Sequence, residues 1–526
     1  DLPLRHRSVR SLFDTSWALL SDEERAVLQR LAVFRGGFRR DAAAAVAGAS
    51  LPLLLTLVDK SLLRSEGAGR FSMHELVRQF AAEALSTQPA VADAVYERHL
   101  TYYTHWLQQQ RSRLHRKHQK QVLGEILVDL ENVRTAWLRA LEQQQMRAVD
   151  AALDTLADVY ELCGWFHEGE ALFTAAVSCV QGVTPEPWRR LLGRLQARLG
   201  FFAQRLAKYA SAKQLLQRTR DDLQALDDQV ATSYCLNCLG EIARIEGDYA
   251  EAERCLTESI ALCRRHGDPQ LLSRAFNLLG IVHGVCGRHD EAERLFRDSL
   301  ALCEAGEEQL GIAKALNNLG IMAYFAGDYT AAHSFYQRSL AINQDLGHQY
   351  DTALALSNLG LVAQKQAHYT DAVALFAESI ALQRKIGYEL GVGLSLRNLC
   401  TTLLELHQLD EAAAHLQEVL LLAHKIRNLP LGLAGLVGLA QLYSLRSDWA
   451  TASRLATFVQ QHPATEEEIR LRATDLLAAA QAQLPADQQA VSASPSAPDL
   501  WEVVVEVLGQ AMLGTHPLPP LHTIHS

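Results

Sequence analysis

The stretch "NNLGIMAYFAGDYTAA", residues 317–332, holds the pattern that decides the fold. A Leu-Gly pair ends at Gly320, and a Gly-Asp-Tyr turn begins seven residues later at Gly327. Stepping forty residues at a time finds "NLLG" at Gly280, "NCLG" at Gly240 and "ARLG" at Gly200 before it. After it come "SNLG" at Gly360, "RNLC" at Cys400 and "VGLA" at Ala440, and "LADVY" at Tyr160 opens the series of eight units. The second landmark keeps step, with "GDYAEA" from Gly247, "GRHDEA" from Gly287, "AHYTDA" from Ala367, "HQLDEA" from His407 and "SDWATA" from Ser447. Such polar, glycine-containing clusters are turn signals.

Between the turns the apolar period is helical. Around Gly240, the residues Leu236, Leu239, Gly240 and Ala243 share one face of a first helix, and Ala252, Leu256 and Ile260 share one face of a second. The small pairs Gly240 with Ala252, Gly280 with Ala292, Gly320 with Ala332 and Gly360 with Ala372 are expected to let the two helices approach closely. A lone helix pair leaves an apolar face in water, so the units must stack into an α-solenoid. The pattern resembles tetratricopeptide repeats (TPRs), whose usual period is about 34 residues, and the forty-residue unit reads as a variant with lengthened helices. The resemblance implies a superhelix with a groove lined mainly by the first helices, which would receive a peptide, a protein or a small-molecule activator. Asn237, Asn277 and Asn317, and one place later Asn318, Asn358 and Asn398, would line it. Asparagine is an indifferent helix former, so its recurrence asks for another reason. A short amide offers both a donor and an acceptor to an extended backbone. The same amides could instead tie neighbouring repeats together or face water.

Composition narrows the classes around this array. At 526 residues and 48% hydrophobic, the chain has ample material for a core. It contains no apolar run long enough for a bilayer, and "DLPLRHRSVR" has charges where a signal peptide needs apolar residues, so no membrane and a cytoplasmic location are expected. Nine cysteines without framework spacing agree with a reducing compartment. The start at Asp1 rather than methionine reads as a fragment of something longer. Residues 151–526 carry 29 basic against 43 acidic residues, and that acidic balance makes nucleic acid an improbable partner there. The one basic run, "RSRLHRKHQK" at 111–120, lacks interleaved aromatics and reads as a solvated helix face.

Residues 1–85 have a different texture. "SDEE", Ser21–Glu24, is a capping box before a helix carrying Val27, Leu28 and Leu31 on one side. Asp41 is placed to cap "AAAAVAG", "LPLLLTLVDKSL" gives a third helix, and "LLRSEGAGRFSMH" gives two strands around a turn. In "FSMHELVRQFAAE" strand alternation changes to a helical period at Glu75. His74 therefore falls at a helix N-terminus, where free N–H groups and the helix dipole favour anions. Helix, helix, helix, hairpin, helix is winged-helix order. Its third helix offers leucines and a single Lys60 beside Asp59, which is poor chemistry for base edges or phosphates.

Three segments, "FDTSWALLSDEERAVLQRLAVFRGGF", "LVDKSLLR" and "MHELVRQFAAE", look like the winged-helix part that follows the ATPase core of STAND signalling proteins, the class that includes the NB-ARC regulators. The resemblance implies that His74, after Met73, matches the histidine of a Met-His-Asp motif that reaches the β-phosphate of ADP and holds the closed state. Glu75 stands where that motif has aspartate. No G-x-x-x-x-G-K-[ST] and no Gly-Lys pair occurs, so the chain lacks a P-loop and is expected not to be an enzyme by itself. By the resemblance, ADP or ATP with Mg would be held only together with an upstream ATPase domain. Other catalytic templates fail as well, since "HELVR" lacks the second histidine of H-E-x-x-H. Cys235 and Cys238 have no second pair downstream and read as core thiols, and His115 with His118, like His522 with His525, read as surface residues.

The expected organisation is predominantly all-α: a winged-helix domain with an N-terminal connecting helix over 1–85, a helical adaptor over 86–150, eight TPR-like repeats over 151–484, and a Pro/Ser/Ala linker with a C-terminal helix over 485–526. The function this implies is the sensor part of a STAND signal-transduction ATPase, the array binding an activator and the winged helix restraining the ADP-bound switch. A winged-helix DNA-binding regulator with a TPR ligand-binding part, or a plain TPR scaffold, are the alternatives.

Overall fold

The structure, a computed structural model, describes residues 16–67, 69–182, 185–485 and 499–512. His522, His525 and the extreme N-terminal segment lie outside them. The chain divides into two compact units, Asp1–Gly311 and Ile312–Ser526.

The first unit opens with α1 (Asp22–Leu31), β1 (Phe38–Arg39), α2 (Arg40–Ala47), α3 (Leu51–Asp59), β2 (Leu63–Gly67), β3 (Arg70–Met73) and α4 (Glu75–Ser86). The capping box forms as the sequence predicts: Glu24 N donates to Ser21 Oγ at 3.2 Å, and Ser21 N donates to the Glu24 carboxylate at 2.6 Å. The strands form one antiparallel sheet in the order β1–β3–β2, with Phe38 opposite Phe71 and Leu63 opposite Met73. Only two strands were expected, because β1 is two residues long and shows no period. Asp41 is not the cap of α2. That place belongs to Arg39, already extended in β1, and Asp41 lies in the first turn, where its charge suits the helix dipole.

Three helices follow, α5 (Pro89–Leu114), α6 (Gln119–Val128) and α7 (Leu130–Glu142). They are bolted to the winged helix by polar contacts as well as by a shared apolar core. Asn132 is fully buried, accepts from the Arg35 N–H at 2.7 Å and donates to the Gly37 carbonyl at 2.9 Å. Asp129, also buried, receives Arg70 at 2.8 Å and Arg39 at 3.4 Å. Gly37 permits the joint: its φ is 99°, and a Cβ there would sit 2.9 Å from the Phe71 carbonyl oxygen.

The repeats are helix pairs. In the first unit they are α8 (Met146–Cys163) with α9 (Phe166–Val180), α10 (Glu186–Arg205) with α11 (Tyr209–Ala225), α12 (Gln229–Ile245) with α13 (Tyr249–His266), and α14 (Pro269–Val285) with α15 (His289–Ala305). The division between units falls in the first turn of α16 (Gln309–Phe325), which pairs with α17 (Tyr329–Leu346). The second unit continues with α18 (Gln349–Lys365) and α19 (Tyr369–Lys385), α20 (Glu389–Glu405) and α21 (Leu409–Ile426), α22 (Leu429–Leu445) and α23 (Trp449–Gln461), then α24 (Glu467–Gln483) and α25 (Leu500–Met512). The fold is thus predominantly helical, a winged helix followed by a TPR solenoid.

The four central repeats, with registers at Gly240, Gly280, Gly320 and Gly360, are closed by the same three devices. The glycine of the first helix faces not the small alanine but the large apolar residue one turn further along the second. A Cβ on Gly240, Gly280, Gly320 or Gly360 would lie 2.6–2.7 Å from Leu256, Phe296, Tyr336 or Phe376. Burying each of those side chains contributes roughly 1.5–3 kcal/mol. A buried serine then latches second helix to first, with Ser259, Ser299, Ser339 and Ser379 donating to the carbonyls of Ser233, Ser273, Ala313 and Ala353 at 2.8–3.2 Å. The turn between the two helices needs a left-handed residue, supplied by Gly247, Gly287 and Gly327, but by Ala367, His407 and Ser447 further on.

The C-terminal helix α25 docks within its own unit. Leu500, Val503, Val504 and Val507 are buried against α21 and α22, Trp501 lies beside His424 and Arg427, and Glu506 pairs with Arg454 at 2.8 Å.

Candidate functional site

His74 is the N-cap of α4, with extended backbone (φ −61°, ψ 138°) and an exposed side chain. Its Nδ1 accepts the Leu76 N–H at 3.2 Å. A ring nitrogen that accepts carries no proton, so the neutral ring has its N–H at Nε2. The cap thereby presets the ring as a donor beside the positive end of a helix. Glu75 does not share that task. Both its oxygens are taken by Arg78 at 2.6 and 2.8 Å, which holds the carboxyl down to about 2, and Arg78 also donates to the Ala32 carbonyl at 3.3 Å. The acidic residue therefore ties the start of α4 to the end of α1.

The helix that would read DNA presents Leu51, Pro52 and Leu55 to solvent, with Leu19 exposed nearby in the chain fold. The cations of this region are largely committed inward. Lys60 pairs with Glu24 at 2.7 Å and donates to the Leu19 carbonyl, Arg70 is held by Asp129, and Arg25 donates to the Trp17 and Ala18 carbonyls.

The six asparagines do not behave alike. In the first unit Asn237, on α12, is 1% exposed, and its Nδ2 donates to the Leu271 carbonyl of α14 at 3.2 Å. The expectation that it lines a groove is corrected here: the next repeat's helix covers it, and it works as an inter-repeat strut. Asn277, on α14, is half-buried. In the second unit Asn317, Asn318, Asn358 and Asn398 are half-buried on α16, α18 and α20. Asn358 donates to Asn317 Oδ1 at 3.0 Å across two repeats, and Asn398 Oδ1 accepts from Arg397 at 3.2–3.3 Å.

In the first unit a network of charges that the sequence pattern does not announce occupies the first-helix face. Asp154 bridges Arg111 at 2.9 Å and Arg198 at 2.7 Å, and His115 meets Asp158 at 2.8 Å. Arg198 lies 4.0 Å over the Tyr234 ring, and Arg274 stacks on Phe201 at 5.3 Å with Glu241 at 3.7 Å. His115 and the run around it are therefore not a simple solvated face. Burial works against charge on His115, yet Asp158 beside it prevails and holds the imidazole above its ordinary range. Charges at mid-helix places such as Asp154, Arg198 and Arg274 were the available signal; net charge by segment conceals it. Cys235 and Cys238 are buried thiols, and burial pushes Cys238 up to about 12. Among the described residues, no group of three His, Cys, Asp or Glu side chains is arranged to hold a metal ion, and no single helix is long and apolar enough to cross a membrane.

Comparison with known proteins agrees with this anatomy. The winged helix-turn-helix domain model matches residues 20–86, and tetratricopeptide repeat models match 271–345, 232–266 and 352–386. A solved structure of a Signal Transduction ATPase with Numerous Domains (STAND) protein with a tetratricopeptide repeat sensor, from Pyrococcus horikoshii, superposes with a TM-score of 0.60 at 14% identity. It covers 97% of this chain and 68% of that one, which is a likeness of fold. "Putative HTH-type transcriptional regulator Rv0890c" of Mycobacterium tuberculosis is 34% identical over 143 residues, 25% of this chain and 16% of the relative. "Uncharacterized protein Rv0894" of the same organism is 41% identical over 99 residues, 16% of this chain and 25% of the relative. The chain thus spans only a minor part of the length of these relatives.

Proposed function

We propose that the chain is the sensor and restraining part of a STAND-type signalling ATPase. The observation that carries this reading is His74: a capped, exposed imidazole whose Nε2–H is left to meet an anion at the start of α4. It fits one contact to a nucleotide phosphate, and the remaining cradle would come from an ATPase domain, because this sequence has no P-loop. The fold likeness to the Pyrococcus protein supports the reading, as does the joint through Asn132 and Asp129, which couples the winged helix rigidly to the helices that follow. An activator seated on the first-helix face would favour a geometry in which α4 and His74 withdraw from the nucleotide, a shift between two states set by differential affinity.

The name of the 34% identical relative favours a second reading, a DNA-binding regulator. The apolar outward face of α3 and the internal pairing of Lys60 and Arg70 weigh against it. Two measurements separate them. Fluorescence anisotropy with labelled duplex DNA at low salt should show no binding, and steeply salt-dependent binding would favour the regulator. In the complete ATPase, His74→Ala should speed ADP release while His74→Gln, which keeps a donor, recovers part of the retention. Identical ADP release in all three would remove His74 from the switch.

A further inference from the structure

In the second unit the asparagine series of the first-helix face ends, and one of its later positions carries a charge. Three places before the glycine register stand Asn237, Asn277 and Asn317, then Ser357, then Arg397. Arg397 is half-buried on α20, and among the described residues its guanidinium donates only to Oδ1 of its own neighbour Asn398, at 3.2 and 3.3 Å. Four helices along, Arg472 on α24 is also half-buried and donates to Oε1 of Gln441, on the intervening α22, at 3.1 Å. Among the described residues neither guanidinium has a carboxylate within 4.0 Å.

Several half-buried arginines of the first unit do face carboxylates: Arg70 meets Asp129, Arg194 meets Asp228 and Arg198 meets Asp154, each at 2.7–2.8 Å, whereas Arg30 and Arg244 have no such partner among the described residues. Burial lowers the pKa of Arg397, Arg472 adds to that effect, and the exposed Glu468 and Glu466 offset it only in part. A cation taken out of water without a partner is a cost that folding alone does not recover. Arginine's planar fork is suited to a carboxylate or phosphate. Leu394, 37% exposed one turn before Arg397, gives an apolar flank, and half-buried Thr401, one turn after it, a polar one.

We propose that Arg397 and Arg472 form an oxyanion site for the carboxylate or phosphate group of a ligand lying on the first-helix face of the second unit, with Gln441 orienting the Arg472 fork. The site deepens the sensor reading by giving the activator a chemistry, but its existence does not depend on the ATPase assignment.

The test is calorimetric titration of the full chain at low ionic strength with two probes, inorganic phosphate and N-acetyl-leucyl-glutamyl-leucinamide. At least one should bind saturably with one site per chain. Arg397→Gln and Arg472→Gln should each weaken that binding by about tenfold or more, whereas Arg265→Gln, at an exposed position on α13, should not. Without probe, both glutamine variants should melt at or above the parent temperature, because each removes an unpaired cation. Binding of the peptide alone supports a carboxylate source on a peptide activator. Binding of phosphate alone supports the site and removes the peptide reading of this face. No saturable binding of either probe, equal weakening by Arg265→Gln, or an early melt in both probe-free variants would overturn the proposal, the last because the guanidiniums would then be structural.

Discussion

The amide pair Asn317–Asn358 decides how much of the first-helix face is available to a ligand. Asn358→Ala deletes the Nδ2–H donor that lies 3.0 Å from Asn317 Oδ1, and Asn317→Ala deletes the acceptor. A half-buried neutral hydrogen bond contributes about 0.5–1.5 kcal/mol net. Each substitution also replaces an indifferent helix former by the best one, returning roughly 0.5 kcal/mol. The single mutants will therefore look almost neutral, and only a double-mutant cycle, in which the propensity terms cancel, exposes the coupling at about 1 kcal/mol. A long repeat array need not unfold in one step, and a global melting curve spreads so small a coupling over every helix, so a local assay resolves it better. Native-state hydrogen exchange over α16 and α18 reads the opening of those helices directly, and because the bond can be lost only once, the double mutant should exchange about fivefold more slowly than the additive expectation. Additivity within about 0.3 kcal/mol would refute the strut and return both amides to the ligand.

Other outcomes follow from the same geometry. Ala367→Gly, His407→Gly and Ser447→Gly relieve left-handed backbone at φ 57–63° and should each stabilise the local turn by about 1 kcal/mol, measured by exchange of the flanking helices; faster exchange in the glycine variants would contradict this. Gly320→Leu drives side-chain atoms into the Tyr336 ring, 2.6 Å from the first added carbon, and should cost about 1–3 kcal/mol or more, with near-ultraviolet circular dichroism reporting the displaced tyrosine. His99, 1% exposed, is held down to about 4 by burial, with Asn132 at 3.4 Å only partly opposing that effect. Between an unfolded value of about 6.5 and about 4 the unfolded chain binds the extra proton, so stability should fall as pH drops through that window, by about 3 kcal/mol at its end. His99→Phe should flatten that dependence in a pH series of denaturant melts, and an unchanged slope would place the acid sensitivity elsewhere.

The parts of this fold that are legible in the sequence are those repeated often enough to average out accident. Gly240, Gly280, Gly320 and Gly360 each answer the same demand for space, so their spacing alone declares the helix pair. That spacing points to the nearby alanines as partners, whereas the space is filled by Leu256, Phe296, Tyr336 and Phe376. The serine latch is equally periodic at Ser259, Ser299, Ser339 and Ser379, yet a lone serine in a helix carries no signature of its hydrogen bond. Single-copy contacts leave no pattern at all: β1 is too short to alternate, and Asn132 and Asp158 find partners dozens of residues away. The asparagines show the limit inside the repeat itself. Asn237 and Asn317 occupy the same register, yet the Leu271 carbonyl closes over one while the other meets a second amide, because a register fixes a face and the neighbouring helix fixes what covers it. Period therefore reports the scaffold, and chemistry sits where the period is broken. His74 precedes the array altogether, and Arg397 stands where three other repeats carry an amide, a guanidinium with no carboxylate within 4.0 Å among the described residues.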